Sequence, residues 1–401
     1  MVRNHHVRNA GGTSAVKQGW HFPAAYPVWI FLGKIAAFFR ENAVMTIALC
    51  AAAVTSIFVP VDRRYLEYFD WKTLSCLFCV LAVVCALKEV RFFYILAGKI
   101  VRCFRNARMS VLALVYITFI GSMLIANDMA LLTFLPLGYF VLTTTGKEKY
   151  MAFTFIMQNI AANLGGMLTP FGNPQNLYLY TKFEIPNLEF MGIMAPPFLL
   201  AVTLITICCL GFVKSEPLDV KEEQVALPVR RTALYLALFV LSIAIVFRGI
   251  PYWIGLVIIP GVLFFVERKA LKMVDYPLLL TFVFFFVFAG NMARIDSVRN
   301  LFSWLMEKNT LLFSVISCQL ISNVPSAILL SQFTGNYAEL LVGVNIGGVG
   351  TLLASLASLI TFRQYTEHNP GKAAYYMKWF SVINFSFLAV LTGFMLILRQ
   401  I

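Results

Sequence analysis

The chain has 401 residues, of which 60% are hydrophobic and only 13% charged, with a mean hydropathy of +0.79, whereas soluble domains sit nearer one quarter charged. About 240 apolar residues, at roughly 20 per crossing, supply around ten membrane segments and leave little for a soluble domain. The basic excess, 32 Lys and Arg against 19 Asp and Glu, is spread through short loops between apolar runs, which excludes the one-sided basic face of a nucleic-acid binder.

The first 26 residues are polar and basic and lack the apolar stretch of a cleavable signal peptide. Segments 26–40 and 89–106 mix aromatic and aliphatic residues with Lys and Arg at helical spacing, and are expected to lie in the membrane interface. An alternative makes 22–38 a crossing. Ordinary crossings are expected at 42–60, 71–88, 190–213, 232–247, 252–266, 276–292 and 373–398. The segment 88–108 carries Lys88, Arg91, Lys99, Arg102, Arg105 and Arg108 against Glu89 alone, which marks it as cytoplasmic. Working outward from it gives a cytoplasmic N-terminus and an external C-terminus, and puts most of the 32 basic residues inside.

The eight cysteines lie mostly inside apolar stretches and read as small hydrophobes, the Cys76-x-x-Cys79 pair included. The loop 214–231 balances four basic and four acidic residues and reads as a linker. Around it the chain divides into an N-terminal segment 1–41, a first repeat 42–213 and a second repeat 232–401.

Regions 109–181 and 309–361 are apolar throughout yet broken by Asn, Gly, Pro, Ser and Thr, so they cannot be plain spanning helices. Asn163, Gly165, Gly166 and Thr169 match Asn345, Gly347, Gly348 and Thr351 in one N-x-G-G-x-x-T pattern, 182 positions apart. Each copy follows a hairpin-like segment with a polar tip: Ala126-Asn127-Asp128 first, then Ser322-Asn323-Val324. The expected hairpins span about 109–145 and 309–333, and the expected broken helices about 150–181 and 336–361. The first break continues through Gly172-Asn173-Pro174-Gln175-Asn176, and the second through Ala354-Ser355. An odd number of crossings separates the copies, so the fold class expected is an all-α polytopic membrane protein. It is built as an inverted repeat, with two re-entrant helical hairpins and two discontinuous transmembrane helices.

Secondary transporters place their sites where such helices stop inside the bilayer. Unpaired N–H groups attract an anion and unpaired C=O groups attract a cation. Asp128 is the sole charged residue between Met109 and Thr145, and an ionisable group at membrane depth suggests ion or proton handling. Its alternative role is a helix cap. All four His lie outside the expected crossings, and no H-E-x-x-H or phosphate-loop motif is present. A membrane-embedded enzyme would need a second ionisable group beside Asp128; Glu339 is the one the broken regions offer, and it is expected near the external surface, which disfavours that reading.

The polar tips and the G-N-P-x-N break resemble the ion transporter superfamily of citrate and dicarboxylate symporters, arsenite permeases and some sodium/proton antiporters. Ser322-Asn323-Val324 looks like the Ser-Asn-Thr tip of divalent anion:sodium symporters, and Gly172-Asn173-Pro174-Gln175-Asn176 resembles their Pro-Pro-Asn break. The likeness covers roughly 42–398 and is strongest to the citrate-transporter-like, or anion permease, branch. It implies a homodimer in a bacterial inner membrane, an elevator-like movement, a small anion as substrate, and Na⁺ or H⁺ as coupling ion with no other cofactor. Carried over, Asn127 and Asn323 contact substrate and cation. Gly165, Gly166, Asn173 and Asn176 form the first loop, and Gly347, Gly348 and Thr351 the second. Na⁺ is expected at Asn127, Asp128, Gly165, Asn323 and Gly347. The first tip reads Ala-Asn-Asp rather than Ser-Asn-Thr, which favours cation chemistry at Asp128. An arsenite or antimonite efflux permease and a sodium/proton antiporter are therefore the rival readings.

Overall fold

The computed structural model describes residues 37–39, 42–218 and 227–400. The interfacial helix expected at 26–40 and the alternative crossing at 22–38 fall almost wholly outside the described residues, as does the middle of the 214–231 linker. Within the described residues the chain is helical. In order come α1 (Ala43–Phe58), α2 (Trp71–Glu89), α3 (Phe92–Arg102), α4 (Ala107–Ile125), α5 (Asn127–Thr144), α6 (Met151–Gly165), α7 (Pro174–Lys182), α8 (Asn187–Phe212) and α9 (Val229–Val246). They are followed by α10 (Tyr252–Val266), α11 (Arg268–Lys272), α12 (Tyr276–Arg294), α13 (Asp296–Ile321), α14 (Asn323–Leu330), α15 (Tyr337–Ile346), α16 (Leu356–His368) and α17 (Ala373–Leu398).

Short polar residues set where many of these helices begin, because each start leaves N–H groups without helical partners. Asp70 accepts from Thr73 N at 2.9 Å, Asn106 from Met109 N at 2.9 Å and Asp275 from Leu278 N at 2.9 Å. Inside α13, Asn309 leaves the helical region (φ −167°, ψ 93°) and caps the turn that follows by accepting from Leu312 N at 2.9 Å. A fresh helical arm therefore starts at 309, where the second hairpin is expected to begin.

Six helices among the described residues are long and apolar enough to cross a membrane: α2, α4, α8, α9, α12 and α17. Of these, α4 has the length and composition of a crossing, and the chain turns directly after it into α5. The turn happens at Ala126, with φ 65° and ψ 153°, and its counterpart between α13 and α14 happens at Ser322, with φ 77° and ψ 159°. The two tips thus share one unusual backbone conformation.

The two halves correspond beyond their tips. Thr169 Oγ1 donates to Met123 O at 2.8 Å, and Thr351 Oγ1 donates to Gln319 O at 3.1 Å, so each broken segment is pinned to the arm of its preceding hairpin by the same bond. The second arm of each hairpin packs on the post-break helix of the other half: α5 against α16, and α14 against α7. Elsewhere α12 lies along α1, while α2 packs against α9 and α10. Arg294 ties α12 to the turn after α1 by two bonds to Asp62, at 3.0 and 2.7 Å.

The chain leaving α8 straps back across the base of the first hairpin. Ala107 N donates to Glu216 O at 2.8 Å and Leu218 N to Arg105 O at 3.0 Å, while the Glu216 carboxylate takes Lys147 at 2.8 Å, Lys149 at 2.5 Å and the Tyr150 hydroxyl at 3.0 Å. The hydrogen bonds from Lys147 and Lys149 hold the Glu216 carboxyl down at about 2, from an ordinary 4.5. A carboxyl depressed on folding contributes stability that is complete above its unfolded value and disappears as pH falls through the folded one. The melting-temperature gap between wild type and Glu216→Gln is therefore expected to hold steady from pH 8 to pH 5 and to close as pH drops from 4.5 toward 2. A pH series of thermal melts checks this, and a gap unchanged at pH 3 would contradict it.

Candidate functional site

Backbone freed at a helix break inside an apolar core must be satisfied by the protein itself. The residues singled out from the sequence do this at the centre of the molecule. At the first break α6 ends at Gly165–Gly166, a short 3₁₀ turn covers Gly166–Leu168, and α7 starts at Pro174 after Asn173. Proline suits a first helical position, where its missing N–H is no loss. At the second break α15 ends at Gly347 and α16 starts after Ser355, which accepts from Ala357 N at 3.2 Å. Asn173 (φ −137°, ψ 144°) and Ser355 (φ −150°, ψ 142°), 182 positions apart, enter their helices with the same extended geometry.

Gly165 is required by close packing: a Cβ there would stand 2.2 Å from Phe119 O on α4. Gly347 is held likewise, with a Cβ position 2.7 Å from Cys318 Cβ on α13.

A buried amide network joins the halves. Asn127 Nδ2 donates to Asn163 Oδ1 at 3.3 Å, and Asn173 Nδ2 to Asn163 O and to Asn345 Oδ1, both at 3.2 Å. Asn345 Nδ2 donates to Asn176 Oδ1 at 2.6 Å, and Asn159 Nδ2 to Ser358 Oγ at 3.3 Å. Gly348 sits between the second tip and the end of α6: a Cβ there would lie 3.1 Å from Asn323 Nδ2 and 3.3 Å from Asn163 Oδ1. Each tip Asn also caps its own helix, Asn127 Oδ1 accepting from Asp128 N at 3.0 Å and Asn323 Oδ1 from Val324 N at 2.9 Å. The second tip is anchored on the second break, since Asn323 N donates to Ala354 O at 2.9 Å and Ser322 Oγ to the same oxygen at 3.3 Å.

Asn127, Asp128, Ser322, Asn323, Val324 and Ser355 line one cavity of about 200 Å³. Asn163, Asn173, Asn176 and Asn345 form the buried layer behind it, and Gly165, Gly166, Gly347 and Gly348 shape the breaks. The Thr169 and Thr351 hydroxyls are spent on the hairpin carbonyls. Two buried acceptors on the cavity residues, Asp128 Oδ1 and Gln175 Oε1, have no hydrogen-bond partner among the described residues, and such acceptors call for a donor.

Among the cavity residues that the sequence reading did not single out are two charged groups and an amide. Asp275, at the start of α12, and Arg363, on the exposed side of α16, line the same space as Asp128, as does Gln175. The carboxylate sharing the cavity with Asp128 is thus Asp275, not Glu339. Glu339 pairs with Arg399 at 2.9 Å and accepts from Leu311 N at 3.2 Å, which accounts for its charge elsewhere. Asp275 has a sequence signal as a helix cap, Asp before Tyr-Pro, and Arg363 lies about two turns into the helix that follows the second break. Neither signal points to the cavity without the fold.

Both tip residues occupy a backbone region that is essentially reserved for glycine and costs about 1–3 kcal/mol for other residues. Ala126→Gly is expected to keep or raise the melting temperature, whereas Ala126→Val, which adds β-branching to the strain, is expected to lower it by several degrees. Equal melts for the two variants would contradict a strained tip.

The model of the citrate transporter family matches residues 28–359. The uncharacterized transporter MJ0456 of Methanocaldococcus jannaschii is 33% identical over 296 residues, covering 73% of this chain and 81% of that protein. The inner membrane protein YbiR of Escherichia coli is 28% identical over 322 residues, covering 78% of this chain and 85% of its own length. With broken, polar helix ends facing each other inside an apolar helical body, and a family match over most of its length, the chain is a multi-pass membrane protein that belongs to the citrate transporter family.

Proposed function

We propose that this citrate-family transporter is a secondary active carrier of a small anion, citrate-like or an inorganic oxyanion, coupled to Na⁺ or H⁺. One observation carries the reading. Both hairpin tips, the starts of both post-break helices and the Arg363 guanidinium converge on a single cavity. Helix starts present N–H groups and partial positive charge, and an Arg fork matches a carboxylate or oxyanion. The tip amides add neutral donors that orient without excess charge.

The rest of the proposal follows from the arrangement. The matched tips and breaks support an inverted repeat, the two halves entering the bilayer from opposite faces. The cavity is bordered by the starts of α1 and α12, and on the loop-charge topology those starts are cytoplasmic, so it opens inward. We read the hairpins and breaks as the moving part of an elevator, in a homodimer of a bacterial inner membrane with the N-terminus inside. Asp128 is the coupling group: a carboxylate at the tip can hold a cation or a proton.

Asp275 favours a second reading. Two carboxylates sharing the cavity with one Arg suit cation exchange centred on Asp128 as well as anion symport.

Proteoliposome uptake separates these readings. Labelled citrate, C4-dicarboxylates, sulfate, phosphate and arsenite are each offered with an inward Na⁺ gradient, an inward H⁺ gradient or neither. Gradient-dependent uptake of one anion is the expected result; Na⁺-driven proton movement with no anion uptake would replace it with exchange. Arg363→Gln is expected to weaken apparent anion affinity about tenfold, the scale of one charge-assisted bond. Unchanged affinity would remove Arg363 from the site. Asp128→Asn, which keeps the shape of the tip, is expected to abolish gradient-driven uptake without lowering the melting temperature, and intact coupling would remove Asp128 from it.

A further inference from the structure

At each break the freed carbonyls point at a side-chain amide. Asn176 Nδ2 lies 3.1 Å from Gly166 O, 3.3 Å from Met167 O and 3.2 Å from Thr169 O. Gln319 Nε2 lies 2.9 Å from Gly347 O and 3.2 Å from Val349 O. Met167 and Val349 are equivalent in the repeat, 182 positions apart. The orientation of both amides follows from their other bonds. Thr351 N, which can only donate, reaches Gln319 Oε1 at 2.8 Å, and Asn345 Nδ2 reaches Asn176 Oδ1 at 2.6 Å. In both places the NH₂ group therefore faces the carbonyls.

We propose that Asn176 and Gln319 are positioning residues whose amides stand where converging carbonyls would otherwise hold a monovalent cation, so that both breaks close without one. A cluster of carbonyl oxygens attracts either a cation or N–H donors. Two amide hydrogens set against three carbonyls supply the positive end of a dipole at the focus of the cluster. A Na⁺ ion in the same cradle would stand against those hydrogens. The two amides are not relatives by the repeat. Asn176 belongs to the post-break helix α7 and its equivalent is Ser358, whereas Gln319 belongs to the hairpin arm of α13 and its equivalent is Met123. One arrangement reached from two different positions marks the amide, rather than inherited symmetry, as what each break needs. The Na⁺ expected at Gly347 meets a carbonyl already engaged by Gln319. Among the described site residues the buried acceptors without a partner are Asp128 Oδ1 and Gln175 Oε1 on the cavity and Asn173 Oδ1 where α7 begins; none of them belongs to the carbonyls that Asn176 and Gln319 engage, and the cavity pair marks where a coupling ion acts.

The proposal rests on reading the breaks as part of the transport site, but its test needs no transport. Thermal melts of the purified chain are compared in NaCl and in choline chloride at equal concentration. Asn176→Asp and Gln319→Glu each trade the donor for a carboxylate among carbonyls and create a cation site. Each is expected to melt about 3 °C or more higher in NaCl than in choline chloride, because an ion bound by the folded state raises stability by mass action. The double variant Asp128→Asn with Asp275→Asn, which removes both cavity carboxylates and leaves the breaks intact, is expected to melt within about 1 °C in the two salts. A Na⁺-specific rise in that double variant would place a cation in the breaks and overturn the proposal. So would a folded carboxylate variant indifferent to Na⁺. If neither carboxylate variant folds, the comparison on the double variant decides alone. A failure of anion uptake with these melts as expected would count against the transport reading only.

Discussion

The constraint on which this structure depends is that a helix stopped within an apolar body leaves backbone groups that no water can reach. Each unsatisfied group costs about 1–3 kcal/mol, and each break exposes several. The structure meets that demand with amides rather than charges. Asn163, Asn173, Asn176 and Asn345 bond to one another and to the loop carbonyls, and Gln319 closes the second segment. Amides donate and accept at once, so one side chain can satisfy a carbonyl on one strand of backbone and pass its own oxygen to the next amide. The result is a polar layer that carries no net charge. The ionisable groups Asp128, Asp275 and Arg363 are left to the cavity wall.

Some of this was legible before any coordinates. The Asn-x-Gly-Gly-x-x-Thr repeat is a local pattern, and it marks both breaks because glycine spacing and proline placement are dictated by nearby backbone. The helix positions followed from apolar length, and α1, α2, α8, α9, α10, α12 and α17 fall within a few residues of their expected ranges. What stayed hidden depends on contacts distant in sequence. Asp275 reads locally as a cap, which it is; its second role as cavity wall exists because α12 begins beside two tips from other parts of the chain. Gln319 sits in an apolar arm with nothing nearby to explain an amide, and its purpose lies about thirty residues ahead. Glu339 reads from the sequence as a carboxylate away from Asp128, but the sequence does not show that Arg399 comes back to meet it. The conformation of Ala126, at which the chain turns from α4 into α5, is not legible from composition either.

That residue and its counterpart Ser322 show how strain is used. A non-glycine residue with φ 65° or 77° and ψ near 155° persists only where the surroundings over-determine it. At the second tip the bonds from Asn323 N and Ser322 Oγ to Ala354 O supply that determination. At the first, Asn127 is held by Asn163. Each tip's shape is therefore set by the break it faces, and side chains that line the cavity are oriented by a backbone that would relax if the break moved away.

The reciprocal packing of α5 on α16 and α14 on α7 bears on how the molecule is made. During synthesis the first half leaves the ribosome well before the second, since α8 ends at Phe212 and α16 begins at Leu356. Until then α5 has no α16 to cover it, and Asn159 and Asn173 lack Ser358 and Asn345. Neither half can complete its own polar layer, so the native arrangement is a late event in biogenesis, reached only once the second half has been made.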